Sequence, residues 1–183
     1  MTPDASRVTG DPLARAQEAV QDALTRLRDA GAPDEVVAER IAPRRILGVR
    51  RPDRLREVTR GWRLGVVLVT ADGGLRATGV TFRSGEPAHS AMRSRIAEER
   101  LELQRAARRG RIPDGQTVNV GAPPIALEPD AVTATSAPLL LRDEVLLVRW
   151  ARGADPAPFD RYLEEQVALH LRPPEGAGET PRR

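Results

Sequence analysis

Two apolar runs around an Asp-Gly pair form the clearest pattern in the chain. The run 61–69 is rich in Val and Leu, Asp72-Gly73 follows it, and 75–83 again carries alternating apolar residues. Asp and Gly accept the positive φ angles of a tight hairpin turn, so the pattern predicts a β-hairpin. Because the first run is apolar on both faces, we expect it to be a central strand that is covered on each side.

Four other stretches carry the periodicity or the capping residues of helices. Helices are predicted at 12–30, 33–41, about 90–109 and 158–171. Asp11-Pro12 is a typical helix start and Gly31 a typical helix end. The first two helices would form an αα-hairpin that either packs on the sheet or stands apart as a partner-binding arm.

A short strand at 116–120 and a second hairpin, 139–141 with 145–150, complete the predicted elements. The predicted fold class is α+β, with an antiparallel sheet of about five strands (two hairpins plus the short strand) packed with helices and preceded by the N-terminal αα-hairpin. The predicted organisation is a disordered segment 1–10, a helical hairpin 11–42, an α+β domain 47–172 and a disordered tail 173–183.

The composition excludes several chemistries. All 29 basic residues are arginine, and the chain contains neither lysine nor cysteine. Schiff-base chemistry, the P-loop lysine, Ser-Lys hydrolysis, thiolate metal sites and cysteine nucleophiles are therefore impossible. Arginine binds anions but is a poor proton carrier. A GC-rich genome accounts for an arginine-only chain that is rich in Ala, Pro and Gly, which argues against a function for the arginines. The formal net charge is only +3.

Neither a membrane segment nor a metal site is predicted. The N-terminus lacks the features of a signal peptide, and no apolar run approaches the ~20 residues that cross a bilayer, so we expect a cytoplasmic protein. His89 and His170 are the only histidines and have no metal-ligand spacing. We therefore expect no cofactor.

Several of these motifs resemble those of a group of proteins from high-GC Gram-positive bacteria. The matching segments are 61–66, Asp72-Gly73, 77–79, 97–100, Val118-Asn119 and 147–150, and the resemblance covers roughly residues 47–174. The group has no established function, although some members carry a glutaminase label. Glutaminases of the serine type pair serine with lysine and those of the amidotransferase type use cysteine, which this chain does not contain.

The residues before and at the start of the third predicted helix are candidates for an anion site. A helix N-terminus offers free N–H groups and a positive dipole end. The candidates, which could converge there, are Arg83, His89, Ser90, Arg93 and Arg95. Alternatively, Ser90 is only a helix cap, and the arginines pair with Glu86, Glu98 and Glu99.

Two basic segments raise the possibility of nucleic-acid binding. Residues 44–63 contain eight arginines against Asp53 and Glu57, and residues 93–111 contain seven arginines against three glutamates. On one face they would form a basic patch, although only Trp62 is near to stack on bases.

By elimination, the sequence favours a non-catalytic domain that binds a protein partner or assembles with itself, with the αα-hairpin as its contact surface. The alternatives are arginine-mediated binding of nucleic acid or another anion, and a hydrolase as the glutaminase label implies. The lack of lysine and cysteine disfavours the hydrolase.

Overall fold

The computed structural model describes residues 11–42, 45–46, 49–50, 52–86, 95–132 and 138–173, and of 45–46 and 49–50 it describes the backbone. The helices are α1 (Pro12–Asp29), α2 (Arg95–Arg109), the short α3 (Pro129–Val132) and α4 (Phe159–Leu171). The strands are β1 (Glu35–Ile41), β2 (Arg45–Ile46), β3 (Val49–Arg50), β4 (Arg54–Leu64), β5 (Val67–Thr70), β6 (Leu75–Ala77), β7 (Val80–Arg83), β8 (Thr117–Val120), β9 (Leu139–Arg142), β10 (Val145–Val148) and β11 (Ala157–Pro158).

Six of the strands form one mixed sheet that closes into a barrel. Their order is β6-β5-β4-β1-β8-β7, with β1 parallel to β8 and every other pair antiparallel. The edges of an open six-stranded sheet would lie roughly 24 Å apart, yet only Thr78 and Gly79 separate β6 from β7 in the chain. Since three residues span at most about 11 Å, β6 and β7 must be two halves of one bent strand that closes the barrel.

Contacts across the barrel interior agree with this closure. The Nη1 of Arg76 on β6 lies 3.8 Å from the Oε1 of Glu39 on β1, although β5 and β4 separate these strands in the sheet. Val37, Leu68 and Ala122 form one buried apolar cluster, and they come from β1, β5 and the residues after β8. The interior of the barrel is therefore filled with side chains.

A polar group is also buried in this interior. Asn119 is fully buried on β8, and its amide donates a hydrogen bond of 2.6 Å to Oε2 of Glu35. The hydroxyl of Thr81 lies 3.0 Å from Oδ1 of the same asparagine. Because both polar ends of Asn119 have partners, its burial carries little energetic penalty.

Helices cover the outer face of the barrel in two places. We call α1, α4 and the three-stranded sheet β9–β11 the helical half; it buries Trp62, Leu64 and Val67 of the barrel in one apolar cluster. The helix α2 covers the other side, where Ala106 and Ala107 pack with Leu55 and with residues of β1 and β8.

The hydroxyl of Tyr162 joins the helical half to the barrel. The turn between β4 and β5 passes so close to α4 that a Cβ on Gly65, whose φ is +63°, would overlap this hydroxyl. The N–H of Val66 in the same turn donates a hydrogen bond of 3.0 Å to it. The turn therefore needs glycine for its conformation and for its close approach to the helix.

The predicted α+β class is confirmed, but the predicted sheet was wrong in size and direction. The main sheet has six strands, whereas about five were predicted from the two hairpins and the short strand together. The sheet is mixed because β1 and β8 run parallel. The apolar run 61–69 also makes two strands, since the chain turns at Gly65.

The predicted αα-hairpin was wrong as well. Residues 35–41 form the strand β1, so the segment 11–42 contains α1 alone as a helix. Val36, Val37 and Ala38 are all buried, which a strand covered on both faces allows and a helix with one apolar stripe does not.

Several local predictions are confirmed. Helices occur at 12–29, 95–109 and 159–171, the Asp72-Gly73 pair forms a turn between β5 and β6, and β9 pairs with β10. Within the described ranges no helix is long and apolar enough to cross a membrane. The predicted disordered ends, 1–10 and 173–183, lie outside the described residues except for Pro173.

Candidate functional site

The structure brings parts of the two basic segments together. The C-terminal end of α2 lies against the start of β4, where Arg109 donates two hydrogen bonds to Asp53: Nε to the main-chain oxygen at 2.6 Å and Nη2 to Oδ1 at 2.9 Å. Gly110 lies so close to Leu55 that a Cβ would overlap the leucine carbonyl oxygen. The end of the second basic segment therefore lies next to the middle of the first.

The end of α2 has an unusual cap. The N–H of Ile112 bonds to the carbonyl of Ala107 at 3.1 Å, and the N–H of Arg111 bonds to the carbonyl of Arg108 at 3.0 Å. The positive φ that such a cap needs falls on Arg111, at 62°, and not on Gly110. A left-handed conformation costs a non-glycine residue about 1–2 kcal/mol, so glycine is used here for close packing.

Seven exposed arginines lie on the elements that meet at this end of the barrel, and we call them the arginine end. They come from the end of β1, the start of β4 and the end of α2: Arg40, Arg54, Arg56, Arg105, Arg108, Arg109 and Arg111. Asp53 lies 3.3 Å from Arg40 and 2.9 Å from Arg109, and thus positions two guanidinium groups. Glu39 lies 3.7 Å from Arg56.

The charge of the chain is concentrated in the two stretches that contain these arginines. Residues 39–57 contain seven arginines and three carboxylates, and residues 105–111 contain four arginines and no carboxylate. The two segments carry a formal charge of +8, and since the whole chain carries +3, all other residues together carry −5.

A short antiparallel ribbon lies within the first segment. The strands β2 and β3 stand between the end of β1 and the start of β4, and their register pairs Arg45 with Arg50.

None of the aromatic side chains of the protein lies in the arginine end. The chain has two tryptophans, one tyrosine and two phenylalanines. Trp62, Phe82, Phe159 and Tyr162 are buried, whereas Trp150, which is 49% exposed, follows β10 in the helical half. The arginine end therefore provides charge and hydrogen-bond donors but no surface on which a base could stack.

Arg60, which belongs to the first basic segment, is held within the fold. Its Nη2 lies 2.9 Å from Asp34 and donates a hydrogen bond of 3.0 Å to Gln116. The hydrogen bond to Asp34 raises the pKa of Arg60 above its ordinary value. This arginine has a structural role, unlike the exposed ones at the arginine end.

The anion site predicted at the start of α2 stays a prediction. His89, Ser90 and Arg93 lie outside the described residues. Arg83 is exposed on β7, and the side chain of Arg95 is 90% exposed and lies 3.2 Å from Glu99. This pairing with Glu99 is the alternative that the sequence allowed for Arg95.

The arginine end can bind anions but offers no group for proton transfer, because guanidinium stays protonated at any working pH. In the described part of the chain no cluster of His, Asp and Glu could hold a metal ion. Sequence reasoning missed Arg40, since it placed this residue in a helix. It found the other six arginines as members of two segments, but no sequence signal indicates that those segments meet.

Comparison with known proteins adds no functional assignment. No protein-family model matches the chain, and no curated protein or solved structure matches it. The resemblance to a group of proteins from high-GC Gram-positive bacteria thus stays a prediction.

Proposed function

We propose that this protein binds polyanions through the arginine end and catalyses no reaction. The observation that carries this proposal is the separation of charge: +8 on two segments that meet at Asp53 and Leu55, against −5 on the rest of the chain. Clustered exposed charge of one sign concentrates oppositely charged ligands and accelerates their association.

The hypothesis of a protein-binding or self-assembling helical arm loses its basis in this fold. The apolar stripe of α1, which includes Val20, Leu24 and Leu27, is buried in the core of the helical half. The segment that was to be the second helix is a strand inside the barrel. Arginine-mediated binding, the alternative that the sequence left open, is therefore the better proposal.

Binding of this kind is expected to depend strongly on salt. A polyanion carries condensed counterions, and each arginine that neutralises a charge releases some of them. With about seven contacts, affinity would fall by roughly several thousandfold between about 50 and 200 mM salt. Arginine also presents a planar fork of donors that matches phosphate, sulfate and carboxylate groups.

The test compares two triple variants of equal net charge. Arg54→Gln/Arg56→Gln/Arg108→Gln removes charge from the arginine end, and the control Arg142→Gln/Arg152→Gln/Arg161→Gln removes the same charge from exposed positions of the helical half. Binding to a labelled nucleic acid and to heparin is measured by fluorescence anisotropy over a series of salt concentrations.

We expect the first variant to lose about tenfold or more in affinity and to lower the slope of log K against log salt by about 3. The control should stay within about twofold of the unmodified protein. Equal losses in both variants would show that net charge alone matters and would overturn the proposed site. A lack of binding at low salt would overturn the function.

A further inference from the structure

Resting on the proposed function, we infer that Asp53 is the positioning residue of the arginine end: it orders Arg40 and Arg109 for the ligand, although its own charge opposes the binding of an anion. The carboxylate lies between guanidinium groups from two elements. Its Oδ2 is 3.3 Å from Nε of Arg40 on β1, and its Oδ1 is 2.9 Å from Nη2 of Arg109 on α2. Each oxygen of one carboxylate thus has its own arginine.

The carboxylate of Asp53 stands on a part of the backbone that the core holds in place. Leu55, two residues further along the chain, is fully buried and packs with Ala106 and Ala107 of α2. The main-chain oxygen of Asp53 also accepts a hydrogen bond of 2.6 Å from Nε of Arg109. Asp53 is therefore a fixed anchor for the two arginines.

The two arginines keep donors for a ligand. Arg40 approaches Asp53 through Nε, and Arg109 uses Nε and Nη2. Among the residues that the structure describes, no hydrogen bond engages the Nη nitrogens of Arg40 or Nη1 of Arg109. The side chains are 47% and 34% exposed. Since a guanidinium group carries five N–H donors, each arginine can contact Asp53 and an anionic oxygen of the ligand at the same time.

Ordering an arginine before the ligand binds raises affinity, because a side chain that is already immobilised loses less conformational entropy on binding. Each side chain ordered in this way contributes about two- to tenfold in affinity. One additional positive charge near the site contributes about two- to threefold in water. A carboxylate among the arginines is thus a disadvantage for a site that acts by charge alone, and an advantage for a site that depends on the placement of its arginines.

The test is a double-mutant cycle on the full chain, with the variants Asp53→Asn and Arg40→Gln. Asparagine can keep the oxygen that faces Arg109, but it then places an amide nitrogen, which is a donor, towards Arg40. Arg109 also retains its bond to the main-chain oxygen. Asp53→Asn therefore releases Arg40 while it makes the net charge more positive by one. The probes are a labelled DNA duplex of about 20 base pairs and labelled heparin, and affinity is measured by fluorescence anisotropy at low salt.

We expect Arg40→Gln to weaken binding by about fivefold or more in the unmodified protein and by less than about twofold in the Asp53→Asn background. Charge alone predicts the opposite, because an Arg40 without its carboxylate partner would attract a polyanion more strongly. A cost of Arg40→Gln that is not smaller in the Asp53→Asn background would overturn this inference and leave polyanion binding intact.

The control background is Glu102→Gln, which changes the net charge equally. Glu102 is exposed on the same helix as Arg109. Arg40→Gln should weaken binding as much in this background as in the unmodified protein. A smaller cost here too would show that the coupling comes from net charge, and it would also refute the positioning role of Asp53.

A further variant tests the same point without altering Asp53. Arg40→Lys keeps the positive charge but has no planar fork of donors. We expect it to weaken binding nearly as much as Arg40→Gln, whereas full affinity with lysine would show that charge suffices and would contradict the inference. Urea denaturation verifies that each variant is folded. Failure of the unmodified protein to bind either probe would overturn the proposed function as well.

Discussion

The helical half and the arginine end are built from different interactions. In the helical half, α1 and α4 bury Leu27, Phe159, Leu163 and Val167 against the barrel, each at most 1% exposed. At the arginine end the side chains are exposed, and their contacts are hydrogen bonds and ion pairs with Asp53 and Glu39. The difference indicates that one region stabilises the fold and the other is available to a ligand.

The energies of the two kinds of contact support this division. Partly exposed ion pairs contribute about 0–1 kcal/mol, whereas a fully buried leucine or phenylalanine side chain contributes about 1.5–3 kcal/mol through burial alone. The carboxylates at the arginine end therefore do little for stability. Their role is to hold guanidinium groups in position.

The largest effect on stability is expected from a substitution in the core of the helical half. Phe159→Ala removes a side chain that is 1% exposed, and we expect it to lower the free energy of unfolding by about 3–5 kcal/mol. Urea denaturation gives the free energy, and anisotropy gives the polyanion affinity of the remaining folded protein, which should not change.

The matched control on the same helix is Leu169→Ala, because Leu169 is 51% exposed. It should change the free energy of unfolding by less than about 0.5 kcal/mol. If the folded Phe159→Ala protein showed a weaker salt dependence of binding, the two regions would not be separable as described.

The elements of the helical half could largely be predicted from sequence, because their signals are local. The cap at Asp11, the apolar stripes of α1 and α4, and the Arg142–Val145 hairpin each depend on residues a few positions apart. In that hairpin, Asp143 and Glu144 both adopt positive φ. Local signals of this kind predict an element correctly whenever the overall fold is consistent with them.

The barrel could not be predicted to the same extent, because it depends on distant residues. In β1, the spacing of Val37 and Ile41 also fits a helix, and only the adjacent β-branched Val36 and Val37 favoured a strand. Its parallel partner β8 lies about eighty residues further along the chain, as in the pair Val36 and Val118. Nothing local specifies that pairing.

The same reason explains why the arginine end was only partly predicted. Each basic segment is visible in the sequence, but their meeting depends on Gly110 approaching Leu55. The sequence suggested that Gly110 ends a helix, which is confirmed by the end of α2 at Arg109. The close approach to β4 is a property of the fold and has no signal in the local sequence.

A smaller effect is expected where the two basic segments touch. Gly110→Ala places a methyl group against the carbonyl oxygen of Leu55, which is backbone and cannot move aside. We expect a loss of about 1–3 kcal/mol in the free energy of unfolding, together with weaker polyanion binding, since the end of α2 must shift away from β4. Denaturation and anisotropy measure the two effects.

Gly31→Ala is the control for replacing a glycine at the end of another helix. Gly31 has φ +60°, but nothing lies within 4 Å of the Cβ that alanine would add. It should cost about 1 kcal/mol and leave polyanion binding unchanged. Equal loss of binding in both variants would mean that the position of α2 does not matter for the arginine end.

The smallest effect is expected where the helical half contacts the turn between β4 and β5 of the barrel. Tyr162→Phe removes the hydroxyl that accepts the N–H of Val66 at 3.0 Å, and we expect a cost of about 1–2 kcal/mol at neutral pH. Burial raises the pKa of Tyr162 above its ordinary value of 10.0. The folded state therefore resists ionisation of this phenol, and the unmodified protein loses stability as the pH rises above about 10.

The phenylalanine variant lacks this ionisation, so the difference in free energy of unfolding between the two proteins should narrow as the pH rises from 7 to about 11. The chain contains one tyrosine, and absorbance of the phenolate reports on Tyr162 alone. A phenol that titrates at its ordinary pKa, with a constant stability difference, would contradict this reasoning. It would mean that water reaches the hydroxyl and that α4 does not close over the turn at Gly65.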